Sequence, residues 1–328
     1  MASHLLIDLA SAFLISYAIK ENADTKTFLI ASLIGYNAIA FLLQPFIGFW
    51  IDCKKNAKKM AAIGLLTGAL SVFFITIPVI LVCVIGAANA IYHVSGGSIV
   101  LRLDKNKSLY AGLFVSTGTL GIYLGYLASS FSVYFFIPVF ILLLAGALLI
   151  KKSELTPYSP AKMVRGKRFY MTLIFLMAVV FLRGLVGGYL IFEWKQGFLL
   201  TLLVTMAVFL GKAAGGGTGD KLGLIKTGVI ALFVSAPLLV CFKESVILSL
   251  VGLVLFNFSM PVTLFLLSRR LNGYEGFAFG ITAFLLLSGS LISYSGIKLS
   301  DASIFALIGL SGLLLYMYDL IQRREEKK

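Results

Sequence analysis

The chain has 328 residues, of which 59% are hydrophobic and only 13% are charged, and its formal net charge is +14. A soluble protein of this length needs far more polar surface, so the composition predicts an integral membrane protein. The basic residues form short blocks between long apolar runs, which is typical of loops that flank membrane spans. We therefore attribute the positive charge to membrane topology and expect a lipid bilayer, and no nucleic acid, as a partner.

The apolar runs predict twelve transmembrane helices, because a bilayer core needs about 20 residues of helix. The runs are continuous and do not alternate in polarity, which disfavours a membrane β-barrel. The predicted fold class is thus an all-α polytopic membrane protein. The predicted spans are 4–20, 27–51, 59–76, 78–101, 108–128, 131–150, 169–192, 196–214, 225–242, 245–268, 273–295 and 301–320.

The distribution of lysine and arginine predicts the orientation. Most of the 28 basic residues follow even-numbered spans or lie at the C-terminus. Under the positive-inside rule both termini are cytoplasmic, and we expect a multi-pass protein of the cell membrane.

Cysteine and histidine are too sparse to suggest a catalytic or metal centre. The three cysteines lack a CxxC or paired spacing, and the chain has only two histidines. Catalysis requires matched acid–base partners within hydrogen-bond reach, and no such motif is evident. We therefore expect no enzyme activity, no cofactor and no metal ion. A channel is also disfavoured, because no filter-like repeat is present.

An internal repeat connects the two ends of the chain. Asp220 lies 168 residues after Asp52, and each aspartate follows a glycine by four residues. These glycines are Gly48 and Gly216, and the same offset relates three further pairs: Gln44 and Lys212, Asn89 and Asn257, and Arg102 and Arg270. We interpret the chain as two six-helix halves, 1–150 and 169–320, with a basic linker at 151–168 and a tail at 321–328. Parallel repeats of this kind occur in transporters, where the substrate binds between the halves near mid-membrane.

The repeated Gly-x-x-x-Asp pattern with its following basic residues resembles the signature loop of the major facilitator superfamily. The second copy, Asp220-Lys221-Leu-Gly223, matches the family pattern closely, whereas Cys53 departs from it in the first copy. A weaker similarity, from His93 to Gly118, is to fosmidomycin-resistance-type exporters. The glycine-rich segment from Gly118 to Gly125 resembles a drug-antiporter motif but lacks its proline. The resemblance implies a secondary transporter that works by alternating access.

The resemblance also implies a cytoplasmic gate, which we expect to comprise Gly48, Asp52, Gly216, Asp220 and Lys221. A carboxylate at Asp52 would be stabilised at the start of span eleven, around residues 272–276, by free amides and the positive end of the helix dipole. The alternative interpretation makes the two aspartates ordinary charges that end helices.

Candidate substrate or coupling residues are the polar side chains predicted inside spans, because ionisable groups there are costly and usually functional. Arg183 is predicted near the bilayer centre, and its alternative role is a structural salt bridge, for which Asp8 is a candidate partner. Lys212 could instead extend to the headgroups, and His93 and the asparagines could simply hold helices together. The full set is Asp8, Asn37, Asn89, His93, Arg183, Lys212 and Asn257.

Two predicted cations in the second half favour a small anionic or zwitterionic organic substrate. Arginine can hold a carboxylate or phosphate with two hydrogen bonds, and Asp8 or His93 could carry a coupled proton. A lipid or amphiphile flippase or a drug exporter of the same fold is the first alternative, and a non-transporting receptor or scaffold is the second. Nothing in the sequence demands an oligomer, so we expect a monomer.

Overall fold

The computed structural model describes residues 1–21, 34–103, 105–153 and 166–326. Regular structure in these ranges is entirely helical, and eleven helices are long and apolar enough to cross a membrane. The helix from Leu224 to Val240 is apolar but shorter. The helices are α1 (Ala2–Glu21), α2 (Ile34–Lys54), α3 (Ala57–Phe74), α4 (Pro78–Leu103), α5 (Leu109–Ala128), α6 (Val133–Lys152), α7 (Lys167–Tyr189), α8 (Gly197–Leu222), α9 (Leu224–Val240), α10 (Val246–Arg270), α11 (Glu275–Tyr294) and α12 (Asp301–Glu326).

The predicted all-α polytopic fold is confirmed, and each of the twelve predicted spans corresponds to one helix. Part of the second span (27–33), most of the linker (154–165) and the last two residues lie outside the described residues. As predicted, Pro78 begins α4, where its missing amide hydrogen costs nothing. A π-helical turn, Ala38–Leu42, interrupts α2.

The ends of α2 and α8 differ from the sequence-based expectation. The structure continues α2 to Lys54 and α8 to Leu222, so Asp52 and Asp220 lie in last helical turns and not in loops. The predicted eighth span ended at residue 214, before the glycine run that precedes Asp220. The helix persists because these glycines pack closely: a Cβ on Gly215 would lie 2.5 Å from the Cα of Phe258.

Contacts between Cα atoms divide the chain into two compact units. The first comprises Met1–Leu103, Thr117–Ser159 and Tyr274–Ile281, and the second comprises Asp104–Ser116, Pro160–Gly273 and Thr282–Lys328. The beginning of α5 therefore belongs to the second unit, and the beginning of α11 belongs to the first. The predicted domain boundaries at 150 and 169 stay a prediction.

Within each unit the helices pack in the same pattern. In the first unit α3 packs against α4 and α6, and α1 packs against α4 and α6. In the second unit α9 packs against α10 and α12, and α7 packs against α10 and α12. Each of these four pairs in the first unit thus has a counterpart six helices later, which is the arrangement expected of the sequence repeat.

Candidate functional site

A cation-lined cavity of about 510 Å³ lies within the second unit. Helices α7, α8, α10 and α11 contribute its walls, and three of the lining residues are the cations Arg183, Lys195 and Lys212. Among the residues that the structure describes, no aspartate or glutamate lines it. The remaining walls are mostly apolar, with Asn257 and Ser290 as polar contributors. The cavity therefore combines positive charge with an apolar surface.

Arg183 is the most buried of the three cations, with 7% of its surface exposed. Its Nη2 donates to Oδ1 of Asn257 over 2.7 Å, and its guanidinium carbon lies 5.5 Å from the ring centroid of Phe256. Its Nε has no hydrogen-bond partner among the described residues. This guanidinium is buried, hydrogen-bonded to an amide and in contact with an aromatic ring, and one of its donors has no partner among the described residues. Such a group is suited to an anionic ligand.

Arg183 was expected near the bilayer centre, and its depth in the bilayer stays a prediction. The helix that carries it, α7, ends at Tyr189, six residues later. At 1.5 Å per residue this places Arg183 about 9 Å from the end of its helix. Among the described residues of its own unit, Arg183 donates to Asn257, and Asp8 bonds to side chains of the first unit. The salt bridge between Arg183 and Asp8 stays an alternative.

The second cluster of buried polar groups lies in the first unit, around Asp8. Asp8 Oδ2 lies 3.3 Å from His4 Nε2, and Asp8 Oδ1 lies 3.5 Å from His93 Nε2. The two Nε2 atoms are themselves 2.8 Å apart. Asn89 Nδ2 donates to Asp8 Oδ1 over 3.0 Å and to Ser11 Oγ over 3.1 Å. His4, Asp8 and His93 are each at least nine-tenths buried, and side chains of these types can also ligate metal ions.

The sequence builds this cluster from helix spacing and glycine packing. His4 and Asp8 are four residues apart on α1, and Asn89 and His93 are four apart on α4, so each pair shares a helix face. Gly118 of α5 provides the space: a Cβ there would lie 2.3 Å from Asp8 Oδ2 and 2.8 Å from His4 Cε1.

A third feature is a buried carboxylate at the beginning of α11. Asp52 Oδ1 accepts from the amide of Gly276 over 3.1 Å, and Oδ2 accepts from that of Phe277 over 2.8 Å. Arg102 links this aspartate to Glu275, donating from Nη2 to Asp52 over 2.8 Å and from Nε to Glu275 over 3.0 Å. Asp52 is 2% exposed. The contact with the beginning of span eleven is the one expected from the sequence.

An equivalent contact occurs in the second unit. Asp220 Oδ1 accepts from the amide of Ser108 over 2.6 Å and from its hydroxyl over 2.8 Å, while Oδ2 accepts from the amide of Leu109 over 3.0 Å. Ser108 and Leu109 lie 168 residues before Gly276 and Phe277, so donors and acceptors follow the same offset. Asp220 is exposed, whereas Asp52 is buried. The first copy, which departs more from the family pattern, thus makes the more buried contact.

The glycines of the two copies explain how the helices approach closely enough for these contacts. A Cβ on Gly48 would lie 2.2 Å from the carbonyl oxygen of Gly276, and one on Gly216 would lie 2.7 Å from that of Ser108. Any side chain would push the carboxylate away from the helix start. Lys221, also predicted at the gate, is exposed beside Asp220. The gate role of this set stays a prediction.

Two predicted residues have less defined surroundings. Asn37 is half-buried in α2, immediately before its π-helical turn, and Lys212 is half-buried in the cavity wall. His4, Arg102 and Lys195 were not among the site residues predicted from the sequence. The spacing of His4 and Asp8 on one helix was a usable signal for the first of these.

Solved structures provide the comparison that identifies the fold. The E. coli fucose:proton symporter FucP aligns with 98% of this chain and 98% of its own at 13% identity, with a TM-score of 0.69. The human organic anion transporter MFSD10 (TETRAN) aligns with 96% of this chain and 97% of its own at 15% identity, with a TM-score of 0.61. The chain has the major facilitator superfamily fold.

A bacterial homologue of the iron transporter ferroportin has the same fold and aligns with 100% of this chain and 99% of its own at 15% identity, with a TM-score of 0.58. No family model matches the sequence, and no curated protein matches it. The major facilitator fold was therefore correctly predicted from the signature loop and the repeat. At these identities the similarity establishes the fold only. The class of substrate must be inferred from the residues of the site.

Proposed function

We propose that this protein is a secondary transporter that moves a small organic anion across the cell membrane, with both termini in the cytoplasm. The observation that carries the proposal is the cavity whose lining includes Arg183, Lys195 and Lys212 and no acidic residue. A cationic solute would be repelled there, whereas a carboxylate or phosphate would gain charge-assisted hydrogen bonds.

Arg183 is the principal anion-binding residue in this proposal. Its Nη2 is oriented by Asn257, and its buried Nε has no hydrogen-bond partner among the described residues. Because the guanidinium is planar and has donors on both edges, it can bind a carboxylate through two hydrogen bonds. The apolar walls favour an organic anion over a small inorganic one, since they offer little to a strongly hydrated ion. The description of one structural neighbour as an organic anion transporter supports the same class.

We further propose that Asp52 and Asp220, with Gly48, Gly216 and Lys221, form a cytoplasmic gate. Each aspartate caps the beginning of a helix, and the two contacts are related by the 168-residue offset. A carboxylate at a helix N-terminus contributes about 0.3–2 kcal/mol. A contact of that size biases an equilibrium between two conformations without locking it, as alternating access requires.

Counterflow in proteoliposomes tests the anion proposal. Vesicles loaded with one member of a panel of mono- and dicarboxylates or organic phosphates should exchange it for the labelled form. Arg183→Gln should abolish exchange, and Arg183→Lys should weaken apparent affinity because the fork of donors is lost. Lys226→Gln is the matched control, since it removes one exposed positive charge outside the cavity. Wild-type exchange rates in Arg183→Gln, or exchange of organic cations instead, would contradict the proposal. Movement of a fluorescent lipid between leaflets without solute exchange would favour the flippase alternative.

A further inference from the structure

The buried cluster of His4, Asp8 and His93 brings three potential metal ligands within 3.5 Å of one another. Its two imidazoles direct their Nε2 atoms at one another over 2.8 Å, and both nitrogens also face the same carboxylate. We propose that this cluster binds one divalent first-row transition metal ion, with Nε2 of each histidine and the carboxylate of Asp8 as ligands. The proposal concerns the first unit and does not depend on the anion cavity.

The distances fit an ion without rearrangement of the backbone. Ligands bound at about 2.1 Å lie about 3.0 Å apart when they subtend a right angle at the ion, and about 3.4 Å apart at the tetrahedral angle. The observed separations between ligand atoms are 2.8, 3.3 and 3.5 Å. An ion placed beside the line that joins the two nitrogens therefore reaches all three groups at ordinary bond lengths.

The outer ring nitrogens already have the partners that metal-binding histidines need. His93 Nδ1 lies 2.9 Å from the backbone oxygen of Asn89, which can only accept, so Nδ1 carries the hydrogen and Nε2 presents a lone pair. His4 Nδ1 lies 3.4 Å from the hydroxyl oxygen of Thr117. In the other tautomer of His4 the proton lies on Nδ1 and faces that hydroxyl. The Nε2 atom of His4 then presents its lone pair to the ion. Partners of this kind fix the tautomer and orient a metal ligand.

Asn89 orients the carboxylate of the proposed site. Its side chain is fully buried, and its Nδ2 donates to Asp8 Oδ1 over 3.0 Å and to Ser11 Oγ over 3.1 Å. Hydrogen-bond partners of this kind hold a ligating carboxylate in position for a metal ion. Water completes the coordination shell.

The ligand set defines the class of ion. Two imidazoles and one carboxylate suit Zn²⁺, Co²⁺, Ni²⁺, Fe²⁺ or Mn²⁺, whereas Mg²⁺ and Ca²⁺ prefer oxygen ligands alone. The dication also compensates the buried negative charge of Asp8. Access is short, because His4 lies one helical turn from Met1, which is exposed.

The test uses the full chain purified in detergent with a tag that contains no histidine. Cys53, Cys83 and Cys241 are replaced by serine, because these exposed thiols could bind metal at the surface. Since His4 and His93 are the only histidines, ¹³Cε1-histidine labelling gives two NMR signals. One equivalent of Zn²⁺ should shift both signals, and one equivalent of Co²⁺ should produce the intense visible bands of a nitrogen-ligated ion.

Variants then assign the ligands. His4→Gln, His93→Gln and Asp8→Asn should each weaken Zn²⁺ binding by about 100-fold or more, because even partners outside the ligand shell contribute 10–100-fold. Asp319→Asn is the control, since its carboxylate pairs with Arg323 on α12 and should leave affinity unchanged. Unshifted histidine signals at millimolar Zn²⁺ would overturn the proposal, as would full affinity in the His4→Gln, His93→Gln double variant. The NMR result on the unsubstituted ligands stands even if a variant fails to fold.

Discussion

The burial of Asp52 makes its replacement the most discriminating test of the helix-capping contacts. Asp52→Asn removes the negative charge that accepts hydrogen bonds from Gly276 and Phe277 and pairs with Arg102. Hydrogen bonds to charged groups contribute about 1.5–3 kcal/mol each, against about 0.5–1.5 kcal/mol for neutral ones. Asparagine keeps one acceptor oxygen, and Arg102 keeps Glu275 as a partner. The loss should therefore be smaller than the roughly 3–5 kcal/mol for a fully orphaned buried ion, and we expect about 2–3 kcal/mol.

Asp220→Asn removes the equivalent contact from an exposed position, where solvent screens the charge. We expect it to cost about 1 kcal/mol, within the range for a surface charge at a helix N-terminus. The free energy of unfolding, measured by titration with sodium dodecyl sulfate in mixed micelles, provides the comparison. Asp319→Asn, which breaks a pair with the exposed Arg323 over one helical turn, should change it less than Asp52→Asn does, because Asp319 caps no helix. A cost for Asp220→Asn equal to or above that of Asp52→Asn would refute the argument from burial.

Two further variants test the packing and the cavity. Gly48→Ala places a Cβ 2.2 Å from the carbonyl oxygen of Gly276 and should lower the free energy of unfolding by about 1–3 kcal/mol in the same assay. Gly309→Ala is the control, because its added Cβ meets nothing within 4 Å and should be neutral or stabilising. Asn257→Leu leaves the buried guanidinium of Arg183 without its amide partner, so it should destabilise the protein by about 1–3 kcal/mol and weaken organic anion binding in an isothermal titration. Unchanged stability in Gly48→Ala, or unchanged anion affinity in Asn257→Leu, would contradict the packing and the cavity arguments respectively.

The architecture was predictable because it depends on long-range averages of the sequence. Hydropathy over about 20 residues locates a span whatever its neighbours are, and the 168-residue offset related Asp52 to Asp220 before any contact was known. The position of Asp52 at the beginning of α11 followed from the fold that this repeat implied. The predicted helix ends were less accurate, because a glycine run can either end a helix or let it pack closely. Only the neighbouring Phe258 and Ser108 show that the glycines before Asp220 do the latter.

The sequence predicted which polar residues are buried in the helices, but it did not predict which residues they contact. The sequence selected Asp8, His93 and Arg183 because each is costly in a membrane, yet it paired Asp8 with Arg183 as the structural alternative. His4 escaped notice because it lies in the first turn of its span, where a polar residue is ordinary. Its contact with His93 joins α1 to α4 and follows from tertiary packing, which helix periodicity does not encode.

The two equivalent asparagines show how one repeat can serve opposite charges. Asn89 and Asn257 are related by the 168-residue offset, and both are buried. Asn89 donates through Nδ2 to the carboxylate of Asp8, whereas Asn257 accepts through Oδ1 from the guanidinium of Arg183. An amide carries both a donor and an acceptor, so the same side chain stabilises an anion in one unit and a cation in the other. The repeat therefore determines where the asparagine lies in each unit. The neighbouring helix determines whether that asparagine orients an anion or a cation.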